Sequence, residues 1–462
     1  MLTLQFGQCG NQLGCDLFSK VSHDLGSPNT DVSYGANYEY AERTIERWFD
    51  GIAERGRHCA RAILVDTEEK VVSEMCKDAA SASWLYRTGN VVCQSGGGSA
   101  NNWAYGYTIN SRRLSNAVLN VTRQELERLD RPQGFLLLLG SAGGTGSGLG
   151  SRMVELLREE YETKPIVAAI VLPFTFGEVC TQNYNTVLTL AKFSDRADLS
   201  VLFENEQMHS MCTNLLKNSN TTLRDMNGII SEKLLAVFQP SNNAGCNTNF
   251  LISKIAAHPN FRFATVKSTP HTPATSLQYE LTHKWEVYIR HLRQTLRVSK
   301  SQAELTNAQL RTPDPTLSRT IMSHTYSPCV SNVLVTRGKS IENDVLALED
   351  LRERHLYPEW TLNSFTHLHQ ERRFLNRDKF LALVSNNSEI HRPLDVYLDK
   401  AWGSYKCAAF LHQYKQFGLE DDDFLRAFAK SSISLSSLLH FYRVVRRRLR
   451  ETLNATVTVT TR

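Results

Sequence analysis

The sequence predicts an α/β protein built on a parallel sheet, and two features of its N-terminal part support this. Short apolar runs of strand length alternate there with segments whose apolar residues follow helical spacing, up to about residue 205. Three of these runs are followed by segments rich in glycine and small polar residues. Because the carboxyl ends of parallel strands meet at one edge of a doubly wound sheet, we expect the three segments together at a ligand-binding edge.

The most informative segment is 140–148, which carries five glycines in nine residues. It follows the apolar run 135–139 and precedes 153–157, where apolar residues recur at helical spacing. Glycines allow the backbone to approach an anion closely, and free amides at a helix start can cradle phosphate. A tight turn without a ligand is the alternative. The segment lacks both the lysine of a P-loop and the G-x-G-x-x-G spacing, so it favours a mononucleotide site of another type.

Two further segments repeat this arrangement. Residues 7–14 (GQCGNQLG) follow the apolar stretch 2–6, and we expect a helix to begin after them, at about Cys15. Residues 94–103 (QSGGGSANNW) follow the strand-like pair 91–92. Amide side chains here can donate to phosphate oxygens without adding charge. Each segment alone could be a surface loop, but three of them favour a binding site.

The later part of the chain predicts mixed strands and helices. A long apolar helix is expected over 226–238, and a strand at 380–384 leads into helices from about 393 to 450. A chain of 462 residues exceeds one ordinary hydrophobic core, so two or three domains are expected.

Composition argues against several classes of protein. No apolar run is long enough to span a bilayer, and the chain starts directly with a strand, so neither a membrane anchor nor a signal peptide is expected. The ten cysteines include no Cys-x-x-Cys pair, which favours reduced thiols in the cytoplasm over disulfides or zinc.

These segments resemble the tubulin family along nearly the whole chain. The resemblance is carried by GGTGSG at 143–148, GQCGNQ at 7–12 and NNWA at 101–104, while KAW at 400–402 and RDMN at 224–227 are similar to the delta branch. It implies an α/β, tubulin-like fold in three parts. These are a Rossmann-like, parallel-sheet GTP-binding domain (1–205), a core helix with a mixed α/β intermediate domain (206–377) and a C-terminal helical region (378–462).

The resemblance also implies a site for GTP or GDP with Mg²⁺. Asn205 and Asn227 match the amides that read guanine, and an amide offers the donor and acceptor that this base edge needs. Glu68, close to Asp66, matches the magnesium loop, and Mg²⁺ needs only one or two carboxylates because it keeps several waters. The residues implied to contact the nucleotide are Gln8, Cys9, Gln12, Asn101, Ser141, Gly143, Gly144, Thr145, Gly146, Glu178, Asn205 and Asn227.

Two departures from the family pattern concern affinity and hydrolysis. Leu223 stands where relatives have an aromatic ring stacked on the base, an interaction worth roughly 1–3 kcal/mol. No Asp or Glu occurs from Lys233 to Tyr279, whereas average composition would give about five. In tubulins, a loop in this region supplies the acid that activates hydrolysis on a neighbouring subunit. We therefore expect GTP binding, with GTP hydrolysis weak or dependent on a partner.

The resemblance implies a structural role in the triplet microtubules of centrioles or basal bodies. The expected partners are other tubulins (alpha, beta or epsilon) in longitudinal contact and microtubule or basal body components, in the cytoplasm and cytoskeleton. The net charge is +5, and arginines from 443 to 450 lie on an amphipathic helix that is either a solvated face or a surface for acidic partners. No nucleic acid is expected. The alternatives are an active self-assembling microtubule GTPase and, more distantly, a dinucleotide-dependent oxidoreductase.

Overall fold

A computed structural model describes residues 1–431, except 28, 30–31, 53–55, 95–97, 178, 243–246, 257, 273–283, 297–328, 340–344, 353–355, 358–360, 362–363 and 376. The expected ribose contact Glu178 and the arginine-rich stretch 443–450 lie outside the described residues.

The strands in the described part are β1 Leu2–Phe6, β2 Phe49–Ile52, β3 His58–Ala60, β4 Ala62–Asp66, β5 Trp84–Tyr86, β6 Val91–Cys93, β7 Phe135–Gly140, β8 Ile166–Leu172, β9 Leu199–Glu204, β10 Phe263–Thr269, β11 Cys329–Gly338, β12 Phe365–Gln370 and β13 Lys379–Asn387.

The helices in the described part include α1 Gly7–Gly26, α2 Tyr34–Trp48, α3 Glu69–Ser81, α4 Trp103–Tyr105, α5 Ser111–Glu127, α6 Gly150–Glu160, α7 Gln182–Arg196, α8 Asn205–Asn214, α9 Leu223–Phe238, α10 Thr248–Ile255, α11 Trp285–Thr295, α12 Val345–Arg352, α13 His391–Lys406 and α14 Leu411–Lys415. A further helical stretch covers residues 421–431. Short π-helical segments, Gly106–Asn110 and Thr145–Leu149, precede α5 and α6.

Among the described residues, ten strands form one sheet in the order β12-β11-β13-β10-β9-β8-β7-β1-β4-β6. Neighbouring strands are parallel from β10 through β6, and β13 pairs antiparallel with both β10 and β11. A smaller sheet contains β2, β3 and β5. The predicted α/β class is confirmed, and the pairing of β9 with β10 joins the N-terminal strands to the later ones in one continuous sheet.

Both faces of the sheet are covered by helices, which explains the unbroken apolar runs. Along β7, Leu136 and Leu138 belong to a core cluster with side chains of α1, α3 and α9. Leu137 and Leu139 point to the opposite face and pack with side chains of α5, α6, α7 and α13. This alternation follows from the two-residue period of a strand.

The expectation that a loop spans residues 7–14 was wrong, because α1 begins at Gly7 directly after β1. Gly7 makes the turn alone with a φ of +67°, a conformation that costs glycine little. A methyl group added at Gly10 would lie 2.2 Å from the Leu138 carbonyl oxygen. The glycines of this segment therefore allow a helix to lie directly on the sheet.

Candidate nucleotide site

The three glycine-containing segments meet at the carboxyl ends of β1, β6 and β7. A methyl group added at Gly7 would lie 2.9 Å from the Gly146 nitrogen, and one at Gly144 would lie 2.5 Å from Ser99 Cβ. Backbones approach this closely only where side chains are absent. The structure thus brings together the segments that the sequence placed at one sheet edge.

Hydroxyl groups connect the segments beneath this surface. The Thr145 hydroxyl lies 2.6 Å from Ser99 Oγ and 2.8 Å from Thr67 Oγ1, and Asn110 Nδ2 donates to Ser99 Oγ at 2.7 Å. Thr145, Ser99, Thr67 and Asn110 are all buried. The Thr145 side chain therefore fixes the shape of the site from below.

Asn185, at the start of α7, holds the other side of the site. Its Nδ2 donates to the carbonyl oxygens of Asn101 at 2.8 Å and Ala142 at 2.6 Å. Its Oδ1 accepts from the Trp103 N–H at 3.1 Å and from the Tyr414 hydroxyl at 2.6 Å. These bonds clamp the backbone of Asn101, whose φ is +51° and whose side chain is exposed. Asn101 can therefore present its amide to a ligand from a fixed position.

Backbone N–H groups are available at this edge. Within the described structure, those of Ala142 and Gly143 make no hydrogen bond to protein. The N-cap residue of α1 is Phe6, whose side chain cannot accept a hydrogen bond. The backbone N–H groups of the first turn, around Gln8 and Cys9, are therefore not capped by a side chain at this position. Together with the positive ends of the helix dipoles, these donors suit a phosphate.

Four predicted side-chain amides have no hydrogen bond among the described residues. Gln8 is exposed and Gln12 half-buried on α1, Asn205 is the first residue of α8, and Asn227 is buried in α9. Their helices are adjacent, since α9 packs against both α1 and α8. Amides that face a site without protein partners are suited to donate to and accept from a ligand.

Cys9 and Ser141 provide shape rather than charge. Burial raises the pKa of the Cys9 thiol to about 12, so it remains protonated at neutral pH. The Ser141 hydroxyl donates to the Val171 carbonyl oxygen at 3.2 Å and lies 3.1 Å from Thr186 Oγ1. Gly143 is the open position, because the nearest atom to an added methyl group is Asn101 Oδ1 at 3.9 Å.

The two acids of the predicted magnesium loop, Asp66 and Glu68, lie at the carboxyl end of β4. Burial raises the pKa of Asp66 to about 6, while its carboxylate accepts from the Thr67 N–H at 2.7 Å and from Asn11 Nδ2 at 3.4 Å. Glu68 is exposed, and its Oε1 would lie 2.4 Å from a methyl group added at Gly98. No cluster of three or more His, Cys, Asp or Glu side chains that could hold a metal occurs among the described residues. The donor set fits Mg²⁺ only if the ion takes most of its ligands from phosphate and water.

Leu223 is the first residue of α9 and is 55 % exposed. The start of α9 is fixed by a capping box between Thr222 and Asp225. Leu223 therefore offers an aliphatic surface from a rigid position near Asn227.

Sequence reasoning missed the residues that hold the site in shape. Asn185 and Asn110 stand in no local motif, and Thr67 lies in the predicted magnesium loop without a role of its own there. Thr67 bonds to Thr145 across 78 positions and Asn185 to Asn101 across 84, while Asn110 bonds to Ser99 across 11. Asn102 was within reach of the sequence, since an Asn before the helix start at Trp103 is a typical N-cap, and its side chain accepts from the Tyr105 N–H.

Comparison with known proteins decides the family. The model of the Tubulin/FtsZ family, GTPase domain, matches residues 1–213. The human tubulin delta chain is 33% identical over 443 residues, covering 93% of this chain and 97% of that one. The chain belongs to the tubulin family. Its identity to other tubulins is lower: 26% for the rice (Oryza sativa subsp. japonica) beta-8 chain over 92% of each protein, and 27% for the yeast (Saccharomyces cerevisiae) gamma chain over 84% of this chain and 78% of that one.

Within the described part of this tubulin, no helix is both long and apolar enough to cross a membrane.

Proposed function

We propose that this chain is a delta-type tubulin that binds GTP or GDP with Mg²⁺ and has a structural role in the triplet microtubules of centrioles or basal bodies. The observation that carries the nucleotide proposal is a set of amides that make no hydrogen bond to the described residues, namely the side chains of Gln8, Gln12, Asn205 and Asn227 with the backbone N–H of Gly143. The delta assignment rests on the identity of 33% to the human delta chain.

Each group has a role in this proposal. The phosphates lie over Gly143, Gly144 and the first turn of α1, with Asn101 reaching the terminal phosphate. Asn205 and Asn227 pair with the guanine edge. Glu68 would hold Mg²⁺, directly or through water, and the bound ion would supply positive charge against the phosphates.

The proposed role is structural because the stretch from Lys233 to Tyr279, which includes the face that would activate a neighbour, contains no Asp or Glu. In α10, the exposed side chains are those of Asn249 and Ser253, and Lys254 Nζ lies 5.5 Å above the Phe250 ring. A neutral amide or hydroxyl does not accept a proton at neutral pH without help. Stacked longitudinally on an alpha, beta or epsilon tubulin, this subunit would leave its neighbour's nucleotide intact.

The nucleotide proposal is tested by purifying the chain, denaturing it and separating the released nucleotide by chromatography. Retained GTP is the expected result and indicates a competent site with little turnover. Mostly GDP would favour the alternative of an active self-assembling GTPase. Absence of guanine nucleotide, or release of a dinucleotide, would contradict the proposed site.

The hydrolysis proposal is tested separately with the series Asn249→Glu, Phe250→Glu and Ser253→Glu. Each variant is mixed with a tubulin that co-sediments with this chain, and phosphate release is measured. At least one variant should raise release above that of the unaltered chain, while Ser253→Gln serves as the uncharged control. If all three glutamates leave the rate unchanged, the missing acid is not what limits hydrolysis.

The structural role is tested by localising a tagged copy in ciliated cells. Enrichment at centrioles or basal bodies is expected, and a uniform distribution along cytoplasmic microtubules would contradict the proposal.

A further inference from the structure

A cavity of about 310 Å³ lies between α8 and α13, and none of the side chains proposed for the nucleotide lines it. The lining includes Leu202 and Glu204 of β9, Lys267 of β10, and Val396 and Tyr397 of α13. This volume is at the lower end of the range for small-molecule sites.

The lining is divided between aliphatic and acidic groups. The apolar side chains that line the cavity include Leu202 and Ile390, which belong to the same core cluster, and Val396. Glu204 and Glu389 place carboxylates beside it. This combination is suited to a molecule with an alkyl body and a cationic end.

The charges in the cavity are only partly balanced. Lys267 forms an ion pair with Glu389 Oε2, and the Lys267 ammonium also donates to the Thr295 carbonyl oxygen. The other oxygen of Glu389, Oε1, is buried without a hydrogen-bond partner. Glu204 has no ion pair or hydrogen bond among the described residues. Glu204 is half-buried, and a partly desolvated carboxylate without a partner is less stable than a solvated one, so a cation placed against it would offset that cost.

Two other charged side chains, Glu206 and Arg392, line the cavity, and neither forms an ion pair with Glu204 among the described residues. Glu206 Oε1 accepts from the Thr175 N–H at 2.9 Å, so it is held at the rim. Arg392 at the start of α13 brings a second positive charge, but the lining retains three carboxylates against two bases. The excess charge is negative and centres on Glu204.

We propose that this cavity binds an alkylammonium group, with the ammonium against Glu204 and the hydrocarbon part against Leu202, Ile390 and Val396. The group comes either from a free small amine or from the lysine side chain of a partner. The site lies on different side chains from those proposed for the nucleotide, so it stands or falls independently of GTP binding.

The titration of Glu204 supports this geometry. Burial, followed by the charges of Glu389 and Glu206, raises the pKa of Glu204 to about 7. An ammonium ion binds the ionised form, so its affinity should increase between pH 6 and pH 8. The charged and titratable groups facing Glu204 are Glu206 on α8, Lys267 on β10, Glu389 before α13, and Arg392 and Tyr397 on α13.

The test is calorimetric titration of the full chain with hexylammonium chloride, and with hexanol as the uncharged probe. Saturable binding of hexylammonium at millimolar concentration is expected, with hexanol weaker. Glu204→Gln should weaken hexylammonium binding roughly tenfold, since a charge-assisted contact is lost. Glu159→Gln, an exposed acid on α6, is the matched control and should change nothing.

A second variant and a second probe complete the experiment. Ser210→Phe fills the cavity from α8 and should abolish binding even if Glu204→Gln folds poorly. N-acetyl-lysine methylamide distinguishes the two sources, because tighter binding than hexylammonium favours a partner's lysine and weaker binding favours a free amine. Equal binding of hexanol and hexylammonium, no saturable binding, or unchanged affinity in both variants would overturn the proposal.

Discussion

Replacing Gly144 with alanine should destabilise the fold. The added methyl group would lie 2.5 Å from Ser99 Cβ, 2.7 Å from the Asn102 nitrogen and 2.7 Å from the Ser99 carbonyl oxygen. Two of these three atoms belong to the backbone, so the clash is relieved only if the segments around Ser99 and Gly144 move apart. Overpacking of this kind costs about 1–3 kcal/mol of unfolding free energy.

Gly143→Ala is the matched comparison, one residue earlier in the same segment. Its methyl group would meet nothing closer than Asn101 Oδ1 at 3.9 Å, so the unfolding free energy should change by less than about 0.5 kcal/mol. The methyl group would instead occupy the space proposed for phosphate, and affinity for GTP should fall at least about tenfold.

The assay combines urea unfolding with GTP titration for both variants and for Gly228→Ala. Gly228 lies within α9 with open space around it, so alanine there should raise the unfolding free energy by about 0.5–1 kcal/mol. The reasoning is refuted if Gly144→Ala unfolds at the same urea concentration as Gly143→Ala. It is also refuted if Gly143→Ala binds GTP as tightly as the unaltered chain.

Three further predictions follow from the same structure. Leu223→Tyr should tighten GTP binding by about 1–3 kcal/mol through stacking on the base, measured by titration; unchanged affinity would mean that the base lies elsewhere. Asn205→Asp should weaken GTP binding without changing the melting temperature, because the Asn205 side chain makes no hydrogen bond to the part of the chain that the structure describes. The control Asn185→Ala should lower the melting temperature by removing four hydrogen bonds. Burial, and after it the charges of His369 and Arg352, lowers the pKa of His367 to about 4. As the pH drops from 6.5 towards 4, the unfolded chain therefore takes up a proton on His367 before the folded protein does, and the free energy of unfolding should decrease. Between pH 6.5 and pH 4, urea unfolding should show that the unfolding free energy of His367→Gln decreases by up to about 3 kcal/mol less than that of the unaltered chain. An equal decrease in both proteins would contradict the lowered pKa of His367.

The sequence by itself determined the class of fold and identified the segments that the structure brings together at one edge of the sheet. Apolar runs such as 2–6 and 135–139 predicted buried strands, and the glycines that follow Leu139 marked the sheet edge. These signals are local, because strand burial and turn geometry depend on neighbouring residues. The same signals misplaced the start of α1, since the pattern of Gly7, Gly10 and Gly14 resembles a loop until the sheet beneath it is known.

The tertiary structure alone decided what holds the site and what lies beside it. Asn185 reaches Asn101 across 84 positions, and Thr145 reaches Thr67 across 78, so no window of sequence contains either contact. The cavity around Glu204 arises where α13 returns over β9, nearly two hundred residues later in the chain. Whether an amide or a carboxylate is paired depends on such long-range packing, because hydrogen bonds form between groups that are close in space wherever they stand in the chain.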